Sequence, residues 1–226
     1  MVTRFLLIST VCALLVHAEP LAQGTGHTDL ANLSSGTRKP SGAYFEAEMQ
    51  MRTILYPAGA PADESGFQFK IYQNPDNIVR LEMVSGPRSG GVGEGRDVHI
   101  IDYGNEGIIT YDKGKNIAFQ GRLQDTDTLR PSPSATKLGD LTILGYRCAG
   151  SQDTIKHPRG SLMVTLETWF ASDSPFKTPL LVIIRTVSPD GVLSSLSVRT
   201  VKSIRTTAWL DPGLFQVPSS YRIVGR

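Results

Sequence analysis

Residues 44–55, YFEAEMQMRTIL, alternate apolar and polar side chains over most of their length. Because successive side chains of a strand point to opposite faces, this period of two predicts a half-buried β-strand. The same period returns in GFQFKIYQ (66–73) and IVRLEMV (78–84), and turn-rich segments separate the three. This order predicts an antiparallel meander. The apolar side of the first segment consists of Phe45, Ala47, Met49 and Met51.

Strand-like segments continue to the C-terminal part of the chain, and no helical period of useful length interrupts them. We interpret LTILGYRCAGSQDT (141–154) as a strand that is broken or bulged at Gly145, and the preceding TLRPSPSATKLGD (128–140) as a surface link. The count is about nine or ten strands, more than the five or six of an average sheet. So many serial antiparallel strands must curl into a barrel or a strongly bent half-barrel. The predicted class is all-β, with at most one or two short helices.

The first eighteen residues have the order of a secretory signal peptide. Arg4 precedes the apolar run Phe5–Val16, which is too short to span a bilayer, and Ala18 ends a suitable cleavage site. We therefore predict an exported protein, periplasmic or secreted. The predicted division is a signal peptide (1–18), a flexible leader rich in Gly, Ser, Thr and Pro (19–41), and one β domain (42–226).

Composition excludes several classes of function. The net charge is +2 at pH 7, and removal of Arg4 with the signal peptide would leave about +1. Nucleic-acid binding needs clustered basic residues, which the chain does not have. No later apolar run approaches eighteen residues, so we predict no transmembrane segment in the mature chain. The glycine-rich segment 85–96 lacks both the Lys-Ser/Thr of a P-loop and the third glycine of a dinucleotide site, which favours a hairpin loop and no cofactor.

Candidate catalytic and metal-binding residues are sparse. The spacing of the histidines and cysteines matches no metal motif, and no G-x-S-x-G segment is present. His99 alternates with apolar neighbours, so we expect an exposed strand residue, and His157 lies in a polar loop. We therefore predict no metal site, no catalytic residue and no enzymatic activity. The strand carboxylates are expected to be cross-strand partners of Arg52, Arg80 or Lys70; they are Glu46, Glu48, Glu82 and Glu167.

Three sets of motifs resemble the LolA-like superfamily of periplasmic lipoprotein carriers. They are the YFEAEMQM strand after the leader, the segment DYGNEGIITYDKGKNIAFQ (102–120), and the series ILGYRCAG, LETWFASD, LLVIIRT and LDPGLFQVPSSY. The last series resembles an uncharacterised family of exported bacterial proteins assigned to that superfamily. The resemblance implies a half-barrel fold. The carriers plug the open side of the half-barrel with helices, whereas this sequence shows no long helix.

A half-barrel must cover its concave face with a segment of its own chain or with a ligand, and the sequence leaves that choice open. Our leading hypothesis is that the face binds an apolar ligand, either a lipid or the acyl chain of a lipoprotein. One alternative is a scaffold module that docks an envelope protein, and a less favoured one is an envelope hydrolase that uses His99 or His157. The predicted ligand-binding residues are Met49, Met51, Phe67, Phe69, Ile71, Leu81, Met83 and Trp169.

Cys148 is the cysteine that remains after removal of the signal peptide, which contains Cys12. It lies deep in the mature chain, so a lipid anchor is excluded, and it has no neighbouring ligands for a metal. The adjacent Arg147 would point to the opposite face of a strand and would not activate the thiol. We therefore predict that Cys148 is a small, buried, apolar residue.

Overall fold

The computed structural model describes residues 43–86, 97–123, 129–156 and 162–225. The predicted signal peptide and leader lie outside the described residues, as do His157 and most of the glycine-rich segment. In the described part of the chain, no helix has the length and apolar character needed to cross a membrane.

The described residues form twelve strands in a single sheet and one short 3-10 helix, which confirms the predicted all-β class. The strands are β1 (Tyr44–Leu55), β2 (Asp63–Gln73), β3 (Ile78–Ser85), β4 (Val98–Asp102), β5 (Gly107–Tyr111), β6 (Ile117–Arg122), β7 (Thr136–Ile143), β8 (Tyr146–Lys156), β9 (Met163–Ala171), β10 (Leu181–Val187), β11 (Leu193–Thr207) and β12 (Arg222–Gly225). The 3-10 helix is Pro212–Phe215.

Two meanders lie side by side in the sheet. The strand order is β12-β6-β5-β4-β3-β2-β1-β11-β10-β9-β8-β7, so the two meanders meet where β1 pairs with β11. The described strands pair antiparallel with their neighbours, as predicted, except that β12 adds to β6 in parallel. Within the described residues the two end strands do not pair with each other, so the sheet is open. One large, open, curved sheet is the half-barrel architecture that the sequence motifs imply.

The segment around Gly145 is a hairpin, so of the two predicted alternatives the strand is broken at Gly145 and not bulged. β7 and β8 pair from Thr136 onward, and a two-residue turn, Leu144–Gly145, connects them. Both turn residues have positive φ, 53° and 82°. Two consecutive left-handed residues produce the kind of tight turn whose twist matches a two-stranded hairpin. The C-terminal part of the predicted surface link is therefore strand β7.

The segment before β7 shows how strongly the sheet is curved. Leu129 packs against the cluster formed by β9 and β10. The guanidinium carbon of the next residue, Arg130, lies 4.8 Å from the ring centroid of Tyr103, which follows β4. Five strands separate β4 from β9 in the sheet. A dipeptide can contact both regions only because the sheet curls around it, so the face that meets Leu129 is the concave face.

The C-terminal segment covers the convex face on the side of β3 to β6. Leu210, Leu214 and Phe215 pack there against a cluster of apolar strand residues. Arg80 is buried beneath this segment, where it donates to the Leu214 carbonyl at 3.0 Å and to the Tyr111 hydroxyl at 2.8 Å. The strand residues of this cluster are Ile78, Val98, Ile100, Ile109, Tyr111 and Ala118.

Candidate functional site on the concave face

Seven of the eight predicted ligand-binding residues share one face of the sheet. The register pairs Met49 with Phe69 and Met51 with Phe67 across β1 and β2. Across β2 and β3, the register pairs Phe69 with Met83. Residues opposite each other in a ladder point to the same face, so these side chains form one surface. Ile71 and Leu81 are likewise partners on this face.

The same ladder identifies this surface as the concave face. Met51 pairs with Arg199, and Arg199 pairs with Val182. Val182 belongs to the cluster against which Leu129 packs. The predicted residues therefore line the inside of the half-barrel, where Met49, Met51 and Ile71 are buried. Phe67, Phe69, Leu81 and Met83 are half-buried.

Trp169 has the opposite strand phase, but it belongs to the same apolar cluster as Met49 and Ile71. Val182 pairs with Thr168, so Thr168 shares the phase of Val182, and Trp169 has the other phase. The indole is buried because its ladder partner, Gly150, has no side chain. A β-carbon added at Gly150 would lie 2.4 Å from the indole nitrogen. Trp169 therefore packs within the apolar cluster, and its contact with a ligand stays a prediction.

A segment of the protein's own chain covers one end of the concave face. The Gln73 side chain donates to the Pro175 carbonyl at 2.8 Å and accepts from the Lys177 amide at 2.7 Å. Phe176, between them, lies with its ring centroid 5.7 Å from that of Phe45. The connection from β9 to β10 is thus fastened over the apolar interior. At this end the chain itself supplies the cover that the carriers obtain from helices.

Strand β11 turns polar side chains toward the concave face. Ser195, Ser197 and Arg199 are buried, whereas Leu196 and Val198 between them are only half-buried. This pattern is the reverse of the usual alternation, in which the apolar side chains face the core. Our sequence reasoning missed this site, although the period-two series of Ser, Ser and Arg in LSSLSVRT was its signal.

Buried hydroxyl groups share the concave face with Arg199, and those of Thr53 and Ser197 are the nearer pair in the ladder. The Thr53 hydroxyl lies 3.1 Å from that of Ser197, and the Ser151 hydroxyl lies 3.0 Å from that of Thr168. Hydroxyls can donate as well as accept, so this surface can bind a polar group. We call this set the polar belt; it consists of Thr53, Ser151, Thr168, Thr186, Ser195, Ser197 and Arg199.

His99 faces the polar belt and is not the exposed residue that we predicted. It pairs with Leu81 on one side and with Thr110 on the other, so it shares the concave face, and it is half-buried there. Burial lowers the pKa of His99 to about 4, and the charge of Arg199 adds to the lowering. The imidazole is therefore neutral at physiological pH. The polar phase of a strand is the exposed phase only where that face meets water.

Three of the four strand carboxylates are occupied in ion pairs. Glu46 accepts from Arg205, Glu167 pairs with Arg185, and Glu82 pairs with both Arg80 and Lys113. Lys70 is the cross-strand ladder partner of both Glu48 and Glu82, as predicted, whereas Arg80 pairs with Glu82 along its own strand. Among the described residues, no group of three or more His, Cys, Asp or Glu side chains is arranged to hold a metal ion.

Cys148 is a buried thiol, as predicted. Its Sγ atom lies 3.5 Å from the carbonyl oxygen of Tyr146, and burial raises the pKa of the thiol. A raised pKa leaves little of the reactive thiolate at neutral pH. The residue therefore contributes packing at the start of β8.

No family model and no curated protein matches the sequence. Among solved structures, the chain is similar to PNGF-II (TM-score 0.45, 15% identity, 82% of this chain and 31% of that one). It is also similar to a LolA superfamily protein from Nitrosomonas europaea (TM-score 0.35, 12% identity, 80% and 92%). A DUF1329 family protein from Desulfovibrio piger has a TM-score of 0.36 and 10% identity, with coverage of 76% and 89%. The chain thus spans less than a third of PNGF-II, and at these scores the function rests on the site alone.

Proposed function

We propose that this is an exported binding protein, periplasmic or secreted, that takes up the apolar chain of a lipid or lipoprotein on its concave face. One observation carries the proposal. Four large apolar side chains remain half-buried beside fully buried neighbours on the same face. We call this surface the apolar stripe; it consists of Phe67, Phe69, Leu81 and Met83.

The apolar stripe lies away from the segment that covers the other end of the face. Gln73, which fastens that segment, is six residues along β2 from Phe67. At about 3.3 Å per residue, the two lie roughly 20 Å apart along the strand. The fastened segment is therefore centred at the end of β2 opposite to Phe67, and Leu129 covers another part of the face, against β9 and β10.

The chemistry of the apolar stripe suits an alkyl chain. The rings of Phe67 and Phe69 are stacked with centroids 6.5 Å apart, and Met83 is the ladder partner of Phe69. Aromatic rings supply a large apolar surface, and a methionine thioether adapts to ligands of varied shape. Because the carboxylates Glu46, Glu82 and Glu167 are ion-paired, we propose binding without catalysis.

Binding of the uncharged chain dodecanol tests the proposal. The purified, delipidated protein should bind it, and Phe69→Ala should weaken binding about tenfold or more, because the stripe loses a large contact surface. Tyr72→Ala is the matched control, since Tyr72 lies on the same strand but on the convex face. Absence of dodecanol binding, together with no co-purifying lipid by mass spectrometry, would contradict the proposal.

Export can be tested separately. Expressed in a bacterium with two membranes, the full chain should appear in the osmotic-shock fraction with Glu19 as its first residue. Recovery of the intact chain, with residues 1–18, from the cytoplasm would show that the export proposal is wrong.

A further inference from the structure

Arg199 places a positive charge inside the half-barrel. Only 7% of its surface is exposed, and its strand neighbours Ser195 and Ser197 are 1% exposed. Burial of a charge or hydroxyl costs free energy unless polar partners compensate. A core that only stabilised the fold would be better served by apolar residues at these positions. The inward-facing polar residues of β11 are therefore better explained by function than by stability.

The charge lies beside the apolar stripe. Met51 is the ladder partner of Phe67 on one side and of Arg199 on the other. Neighbouring strands are about 4.8 Å apart, so Phe67 and Arg199 are roughly 10 Å apart across the sheet. A single amphiphilic molecule can therefore contact both, with its chain on β2 and β3 and its head group over β11.

The surroundings of Arg199 favour an anionic group. The Thr53–Ser197 and Ser151–Thr168 hydroxyl pairs lie on the same face, and hydroxyls can turn their protons toward an anion. Guanidinium groups bind carboxylate and phosphate in a bidentate manner, with bonds stronger than those between neutral groups. Arg199 also interacts within the chain, so the ligand would share the guanidinium.

We propose that Arg199 and the neighbouring hydroxyls of Thr53 and Ser197 form a subsite for the anionic head group of an amphiphile whose chain lies on the apolar stripe. This inference rests on the proposed function and names the ligand class more closely. The shared chemistry is a carboxylate or phosphate attached to an alkyl chain. A neutral amphiphile would place no negative charge beside Arg199, so the buried charge would not increase its affinity.

Three ligands with the same twelve-carbon chain separate head group from chain: dodecanoate, dodecyl phosphate and dodecanol. The wild-type protein should bind one or both anions at least tenfold more tightly than dodecanol, as measured by calorimetry. Arg199→Gln should abolish this preference and leave dodecanol binding in place. Arg205→Gln is the matched control, because Arg205 is an arginine on the same strand that pairs with Glu46 on the convex face. This variant should keep the preference.

A measurement on the wild-type protein covers the case in which Arg199→Gln does not fold. A bound anion would offset the charge of Arg199, so dodecanoate should raise the pKa of His99 measured by NMR, and dodecanol should not. A preference for dodecanoate over dodecyl phosphate, or the reverse, identifies the head group.

The outcomes distinguish this inference from the proposed function. Equal affinity for all three ligands, with no change at His99, would overturn the head-group subsite and leave the proposed function standing. Binding of none of the three would overturn both. Binding of the anions that survives in a folded Arg199→Gln protein would place the subsite elsewhere and also overturn the inference.

Discussion

Arg199 on β11 acts electrostatically on His99 on β4, although β1, β2 and β3 lie between these strands in the sheet. On a flat sheet, four strand spacings would separate them by roughly 20 Å. Curvature brings the two strands toward each other across the concave face. The relation between these residues therefore belongs to the half-barrel and not to any single strand.

The stability of the protein should fall as the pH drops from about 6.5 to 4. The folded pKa of His99 is lowered to about 4 by burial and by Arg199, whereas an unfolded histidine titrates near 6.5. Between these values the unfolded chain takes up a proton that the folded chain does not, which favours unfolding as the pH falls. The loss attributable to His99 is up to about 3 kcal/mol and levels off below pH 4. Urea denaturation at pH 7 and pH 4.5 measures it.

His99→Gln is the control for this pH dependence. The variant keeps a polar side chain but cannot be protonated, so its stability should fall less over the same interval than that of the wild type. Equal losses in the two proteins would show that His99 titrates normally in the folded state.

Gly150→Ala should destabilise the protein through Trp169. The added β-carbon would meet the indole nitrogen at 2.4 Å and the backbone oxygen of Gly139 at 3.0 Å. The indole must move, and strain of this kind in a packed region typically costs about 1–3 kcal/mol. Chemical denaturation followed by tryptophan fluorescence tests this. Gly66→Ala, on β2 with open space around the site, is the control and should change stability less.

Gln73→Ala should loosen the segment that covers the end of the concave face. The substitution removes both hydrogen bonds to the backbone of Pro175 and Lys177, which is expected to cost about 1–3 kcal/mol. Hydrogen exchange should become faster around Phe176. Gln68→Ala changes an exposed glutamine on the convex side of the same strand and should leave that exchange unaltered. Unchanged exchange at Phe176 in Gln73→Ala would show that other contacts hold the segment.

Arg80→Met should release the C-terminal segment from the convex face. It removes the donors to the Tyr111 hydroxyl and the Leu214 carbonyl, and leaves Glu82 with Lys113 alone. Loss of one member of such a buried network is expected to cost about 3–5 kcal/mol. Limited proteolysis should then cut near Leu214. Arg52→Met, which breaks an exposed pair with Glu64, should have little effect on either measurement.

The sequence by itself determined the all-β class, the serial antiparallel pairing and the burial of Cys148, but it predicted nine or ten strands where the described residues form twelve. Strand alternation is a local signal, and turn residues separate strands along the chain, so the meander from β1 to β3 could be predicted from its own residues. The seven concave residues on β1 to β3 could also be grouped correctly, because one face of these strands is apolar.

Only the tertiary structure decided what lies inside the half-barrel. His99 and Arg199 each occupy the face opposite to the one that local hydrophobicity suggests. The phase of a strand shows which residues share a face, but whether that face meets water, the chain's own segments or a ligand depends on how the sheet curls. The curvature of the sheet accumulates over many strands, and therefore no short segment of the sequence predicts it. The buried polar belt around Arg199 exists only because distant strands close around a common interior.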